Sequence, residues 1–157
     1  MQSKPYQLSM TYDKPIQKWL AERQKWIVLF YHLCQQRPFN KALVNSEVKE
    51  LCQAFCQLLM DYLSLGHFEM YEQAVTTIEQ CQSPLVKIPA YLLTSLLQTT
   101  FVALDFNDKY QKQQDFSELD QDLSHLAVHI AQRLEWEDKL IAQFTLAKAF
   151  SNVACNS

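Results

Sequence analysis

The sequence predicts an all-α fold, a single-domain up-and-down bundle of four main helices plus one short extra helix, on three observations. The composition leans to helix formers, with 22 Leu against 14 Val plus Ile, and 18 Gln, in 157 residues. Glycine occurs once, so the turn glycines of sheets and the closely spaced glycines of Walker loops and dinucleotide fingerprints are missing. Apolar residues recur at helical steps in successive segments joined by short breaks. All-β and Rossmann-type folds are thereby excluded, and most nucleotide-handling enzymes with them.

Residues 1–14 carry no periodicity and read as an N-terminal arm; the bundle domain is expected over 15–151. Pro15 suits a first helical turn, and Ile16, Trp19, Leu20, Ile27, Phe30 and Cys34 mark an amphipathic helix to about Gln35. Arg37 to Ala42, containing Pro38, is the connection. Asn45 or Ser46 offers an N-cap to a second helix whose stripe runs from Val48 through Phe55 and Leu59 to Leu65. Gly66 is expected to stop it as a C′ glycine. A short helix follows over His67 to Gln80, then a turn around Ser83 and Pro84. Pro89 is expected to open the next helix, which carries Leu92, Leu93, Leu96, Leu97, Thr100, Phe101 and Leu104 and frays near Asn107 to Lys112. Asp115 can cap the last and longest helix, with its stripe at Leu119, Leu123, Leu126, Ile130, Leu134, Ile141 and Phe144 and its end near Phe150.

Charge is divided unevenly. Residues 1–50 hold eight Lys or Arg against four Asp or Glu (+4), and residues 51–157 hold six against thirteen (−7). A basic partner would be drawn to the second part. The longest uncharged stretch, Ile88 to Leu104, is interrupted by Pro89 and several Thr, Ser and Gln, short of the roughly 20 apolar residues of a membrane span. No export signal is read near the N-terminus, so a cytoplasmic location is expected. Five cysteines without a CxxC pair are expected to be reduced thiols.

Two stripes contain a charge where a hydrophobe belongs: Arg23 between Leu20 and Ile27, and Glu137 between Leu134 and Ile141. Asp61 lies at the flank of its stripe, with His67 just beyond. A buried charge is costly unless paired, so an inward Arg makes inward carboxylates credible. The expectation is a polar cluster inside the bundle. As an acid/base site it would use Asp61, Glu137 and His67. As a metal site it would want Glu-x-x-His repeats, which are absent. The plainer reading is an internal salt-bridge network that fixes helix register. His125 and His129 form an i, i+4 pair without the Glu of a His-Glu-x-x-His motif. Trp19, Trp26 and Trp136 have no basic stripe beside them, which argues for packing over base stacking.

The run from Phe55 to Glu72, with Asp61-Tyr62-Leu63-Ser64, Gly66-His67-Phe68 and Tyr71-Glu72, resembles the signature segment of the Rsd/AlgQ family, bacterial anti-sigma regulators of the housekeeping sigma factor. Lys18 to Arg23 followed by Phe30-Tyr31, and Arg133 followed by Glu137 to Ile141, agree in order and spacing. The resemblance implies a non-enzymatic helical bundle that uses no cofactor or metal. It also implies binding to the sigma factor's C-terminal DNA-recognising domain, as a monomer without direct contact to nucleic acid or membrane. Carried over by position, Arg23, Tyr31, Asp61, His67, Tyr71, Glu137 and Asp138 are the polar or aromatic residues matching the signature, as sigma contacts or members of the internal cluster. The competing function is a small-molecule or metal-binding bundle built on that cluster.

Overall fold

The computed structural model describes residues 12–39, 44–112 and 115–155, and the side chains of His67, Phe68 and Ala154 are also outside the described set. Most of the expected arm and part of the 37–42 connection therefore lie outside the described residues. Five α-helices run through the rest: α1 (Lys14–Gln35), α2 (Ser46–Leu65), α3 (Tyr71–Gln80), α4 (Leu92–Lys112) and α5 (Leu119–Cys155), with a π-turn over Gly66–Met70 between α2 and α3. The chain is a single-domain all-α bundle, as the composition and periodicity indicate.

Short polar residues start the first two helices. The Asp13 carboxylate accepts from the Ile16 backbone N–H (3.3 Å), and the Asn45 side chain from that of Val48 (2.9 Å), each satisfying a donor left over by the first helical turn. Asp115 accepts from the Ser117 N–H (2.9 Å), which orders the turn before α5. Pro89 does not open α4: Leu92 N–H bonds to the Pro89 carbonyl in a turn, and the helix starts at Leu92. The expected fraying at Asn107 to Lys112 is absent, because Asn107 and Tyr110 are buried and the Tyr110 hydroxyl donates to Asp122 on α5 (2.5 Å). Helix α5 passes Phe150 to reach Cys155.

Gly66 differs most from expectation. Its φ of −60° and ψ of −51° are right-handed helical, so it ends nothing; the Tyr71 N–H reaches back five residues to the Gly66 carbonyl, and α2 continues through this π-turn into α3. One extra residue in a helical turn rotates everything after it by about 100°. No close approach demands a glycine either: a Cβ there would lie 3.4 Å from the Tyr71 ring, an ordinary van der Waals contact.

α1 packs on α2, α2 on α4, and α4 on α5, while α3 lies against α5. Ion pairs tie the antiparallel ends of α1 and α5 together: Asp13 with Lys148, and Arg37 with Asp120 (3.0 Å). Trp19, Trp26, Phe55, Tyr62, Leu96, Leu126 and Phe144 are among the fully buried side chains of one continuous core. All five cysteines are free, with Cys52 and Cys56 buried side by side on α2; their mutual hydrogen bond and burial push the Cys52 thiol up. No helix among the described residues is long and apolar enough to cross a membrane.

Candidate functional site

The buried face of α5 repeats at alternating steps of four and three: Leu119, Leu123, Leu126, Ile130, Arg133, Glu137, Leu140, Phe144 and Ala147. Such a repeat keeps one seam facing its neighbours along the whole helix. Two of its positions are charged, and both side chains are fully enclosed. Arg133 Nε donates to Glu137 Oε1 at 2.8 Å, one helical turn away. The Tyr71 hydroxyl donates to the same oxygen at 2.7 Å, and the Tyr62 hydroxyl donates to Oε2. The rotation introduced by the π-turn brings Tyr71 onto α5.

The rest of the Arg133 guanidinium is used as fully. Nη1 donates to Thr100 Oγ1 (2.8 Å), Thr99 Oγ1 (3.0 Å) and the Leu96 carbonyl (3.3 Å), and Nη2 to the Tyr71 hydroxyl (2.5 Å). Thr99 and Thr100 also bond back to the Leu96 carbonyl, 2.6 and 3.2 Å away, so α4 offers three oxygens in one patch. Rings wall the cluster: Trp19 meets Tyr71 edge-on at 5.6 Å, and Trp26 lies 5.6 Å from Tyr62. Burial, reinforced by the adjacent Glu137 charge, pushes both Tyr62 and Tyr71 well above the usual phenol range. For Arg133, burial opposes the charge, but Tyr71 and Glu137 outweigh it and the guanidinium is held more firmly cationic than usual.

Among the residues singled out from sequence, Arg23, Tyr71 and Glu137 come together. Arg23 reaches in from α1 between the two tryptophans, 4.0 Å from Glu137 Oε2, with its other nitrogen 2.7 Å from Asp138 Oδ1 at the bundle surface. Asp61 does not join them: it is exposed on α2 and accepts from Gln57 (3.0 Å). Tyr31 is exposed on α1. The His67 side chain lies outside the described residues, so the expected Asp61–Glu137–His67 constellation is not assembled by the side chains that are described.

Arg133, Tyr62, Thr99 and Thr100 were missed as members of the network. The signal for Arg133 is its place in the four-three repeat between Ile130 and Glu137; the threonines have none in sequence, since only tertiary packing brings them to α5. The paired histidines are 3.3 Å apart through their Nε2 atoms. No group of three or more His, Cys, Asp or Glu among the described residues is placed to hold a metal ion.

The Arg133–Glu137 pair is itself fully satisfied, while Arg23 Nη1 and the Trp19 and Trp26 indole N–H groups around it have no hydrogen-bond partner among the described residues. Both Glu137 oxygens have donors and every Arg133 nitrogen has an acceptor, so the pair holds α3, α4 and α5 in register.

Comparison with known proteins follows the same segments. Residues 7–145 match the profile of the family described as regulator of RNA polymerase sigma(70) subunit, Rsd/AlgQ. The chain is 32% identical over 134 residues to the Regulator of sigma D of Enterobacter sp. (strain 638), covering 83% of this chain and 79% of the relative. It is 30% identical over 132 residues to the Regulator of sigma D of Pectobacterium atrosepticum, covering 82% and 86%. The protein of the same name from Yersinia pseudotuberculosis is 28% identical over 130 residues, covering 80% and 76%. No solved structure gives a significant match. With the match running from α1 through most of α5, the chain belongs to the Rsd/AlgQ family of regulators of the RNA polymerase sigma(70) subunit.

Proposed function

We propose that this protein is an anti-sigma factor: its bundle, residues 15–151, binds the C-terminal DNA-recognising domain of the housekeeping sigma factor and keeps that domain from polymerase core and promoter. The observation that carries the reading is the family match across residues 7–145, with relatives named for regulation of sigma D. Electrostatics support it. A domain that contacts DNA presents Lys and Arg to phosphates, and the −7 balance of residues 51–157 attracts such a surface. The fully satisfied Arg133–Glu137 pair supports a non-enzymatic role, because its hydrogen-bonding groups are already engaged. On this reading the protein acts in the cytoplasm as a monomer, without cofactor or metal and without touching nucleic acid or membrane itself.

Run-off transcription from a promoter that depends on the sigma C-terminal domain tests the reading. Adding the protein in excess over sigma before core polymerase should suppress that transcript. Unchanged transcription in large excess would reject sequestration and favour the ligand-binding bundle.

A further inference from the structure

We propose that the apolar groove between α3 and α4 is where a basic amphipathic helix of the sigma C-terminal domain docks. The inference rests on the anti-sigma reading and adds to it the face that performs the binding. α3 and α4 each pack against α5 without packing extensively on one another. They leave a groove of about 350 Å³ between Val75 and Thr76 on one side and Leu93 and Leu97 on the other, with Tyr71 and Thr100 also lining it.

Helix α4 is apolar on two faces. Leu92, Leu96, Ala103 and Phe106 enter the core, while Leu93 (39% exposed), Leu97 (43%) and Phe101 (57%) follow one another at four-residue steps on the outside. A helix apolar on more sides than its own core covers marks an interaction site. A row of anchors one turn apart beside a groove fits a partner helix presenting its own apolar stripe. The groove is rigid where it meets the internal network: Tyr71 and Thr100 are both bonded to Arg133, so little ordering remains to oppose docking.

Charge selects this face for a basic occupant. Exposed Asp105 stands one four-residue step beyond Phe101 on α4. Glu72 lines the groove itself, and Glu79 lies two turns further along α3. α1, by contrast, carries Lys14, Lys18, Arg23 and Lys25 against Glu22, which repels the same partner.

The test is titration of fluorescently labelled sigma C-terminal domain with the full chain and its variants, each checked by thermal melting. Leu97→Asp and Phe101→Asp should each weaken binding by about 30-fold or more, the loss of an anchor residue. Both add negative charge to an acidic face, so weakening isolates the apolar contact. Val28→Asp, the same change at a matched exposure of 40% on α1, should leave affinity within about threefold. Joint Glu72→Lys and Glu79→Lys should slow association by about tenfold at low salt. Wild-type affinity in both Leu97→Asp and Phe101→Asp would overturn the groove while leaving the anti-sigma reading intact. Self-association abolished by Leu97→Asp with sigma binding unchanged would make the occupant a second copy of this chain, and also overturn it. Absence of binding by the unaltered protein would overturn the reading beneath it.

Discussion

Removing Glu137 should cost this fold more than removing any exposed carboxylate, and the structure allows the cost to be worked out. Its carboxylate accepts from Arg133 Nε (2.8 Å), from the Tyr71 hydroxyl (2.7 Å) and from the Tyr62 hydroxyl. In Glu137→Ala the enclosed Arg133 loses the carboxylate it is bonded to, the only counter-charge within hydrogen-bond distance among the described residues, at about 3–5 kcal/mol. The Tyr62 hydroxyl is left buried without its acceptor, adding about 1–3 kcal/mol. Allowing for non-additivity, the loss should be about 5 kcal/mol, a third or more of the stability of a typical domain. At roughly 2–4 °C per kcal/mol for a chain of this size, Tm falls by about 10–20 °C. Glu79→Ala on the exposed end of α3 should stay within about 0.5 kcal/mol. Pairing Glu137→Leu with Arg133→Met removes both charges, so the double variant should lose at least about 2 kcal/mol less than the two single losses added together. Urea unfolding followed by far-UV circular dichroism gives all five stability losses, and thermal melting gives the fall in Tm. A Glu137→Ala loss under 1 kcal/mol, or strict additivity in the double variant, would show that the pair does not hold the helices together.

Three further outcomes follow from individual sites. Tyr62 and Tyr71 ionise near pH 10 in the unfolded chain and only well above it in the folded protein, through burial and then Glu137. The folded state keeps protons that the unfolded chain has lost, so their contribution is intact below about pH 10 and disappears as pH rises through the folded values; urea midpoints measured from pH 9 to 11 should fall, and fall less in Tyr62→Phe relative to its own pH 9 value. Gly66→Ala should be neutral or stabilising by up to about 1 kcal/mol, because the residue is helical and a Cβ would meet Tyr71 at 3.4 Å; a loss above 1 kcal/mol would restore the C′-glycine reading. Thiol titration without reductant should find five free groups on unfolding, and Cys52 and Cys56 should react in the native protein far more slowly than exposed Cys155; equal native rates for these three thiols would contradict their burial.

The fold was legible because helix-forming composition and apolar periodicity agree along most of the chain, and the caps at Asp13 and Asn45 use ordinary local chemistry. Gly66 misleads because a glycine after an apolar stripe commonly marks a positive φ at a helix end, whereas here its backbone is right-handed helical and the chain runs on through the π-turn. The inward carboxylate at Glu137 follows from the stripe, whereas Asp61, at a stripe's flank, turned to solvent. Tracing α5 through Leu134 hid Arg133; the four-three repeat through Ile130 and Glu137 exposes it. Thr99 and Thr100 had no such signal, since what selects them is the guanidinium arriving from another helix. The groove beside α4 was half legible: Leu93, Leu97 and Phe101 were visible as apolar, but that α3 leaves them uncovered is a property of the packing.

Capture of the sigma factor through its C-terminal domain, as proposed for this bundle, is open to calorimetric titration. The full chain is titrated into intact housekeeping sigma factor and into sigma lacking that domain, each at low and near-physiological salt. Exposed charges are screened over roughly 8–10 Å at physiological ionic strength, so affinity for intact sigma should weaken with salt yet persist through apolar contacts. A saturable complex at micromolar concentration or below is expected with intact sigma and none with the truncated form. No heat of binding to intact sigma at micromolar concentration, or equal binding to the truncated form, would contradict capture through that domain.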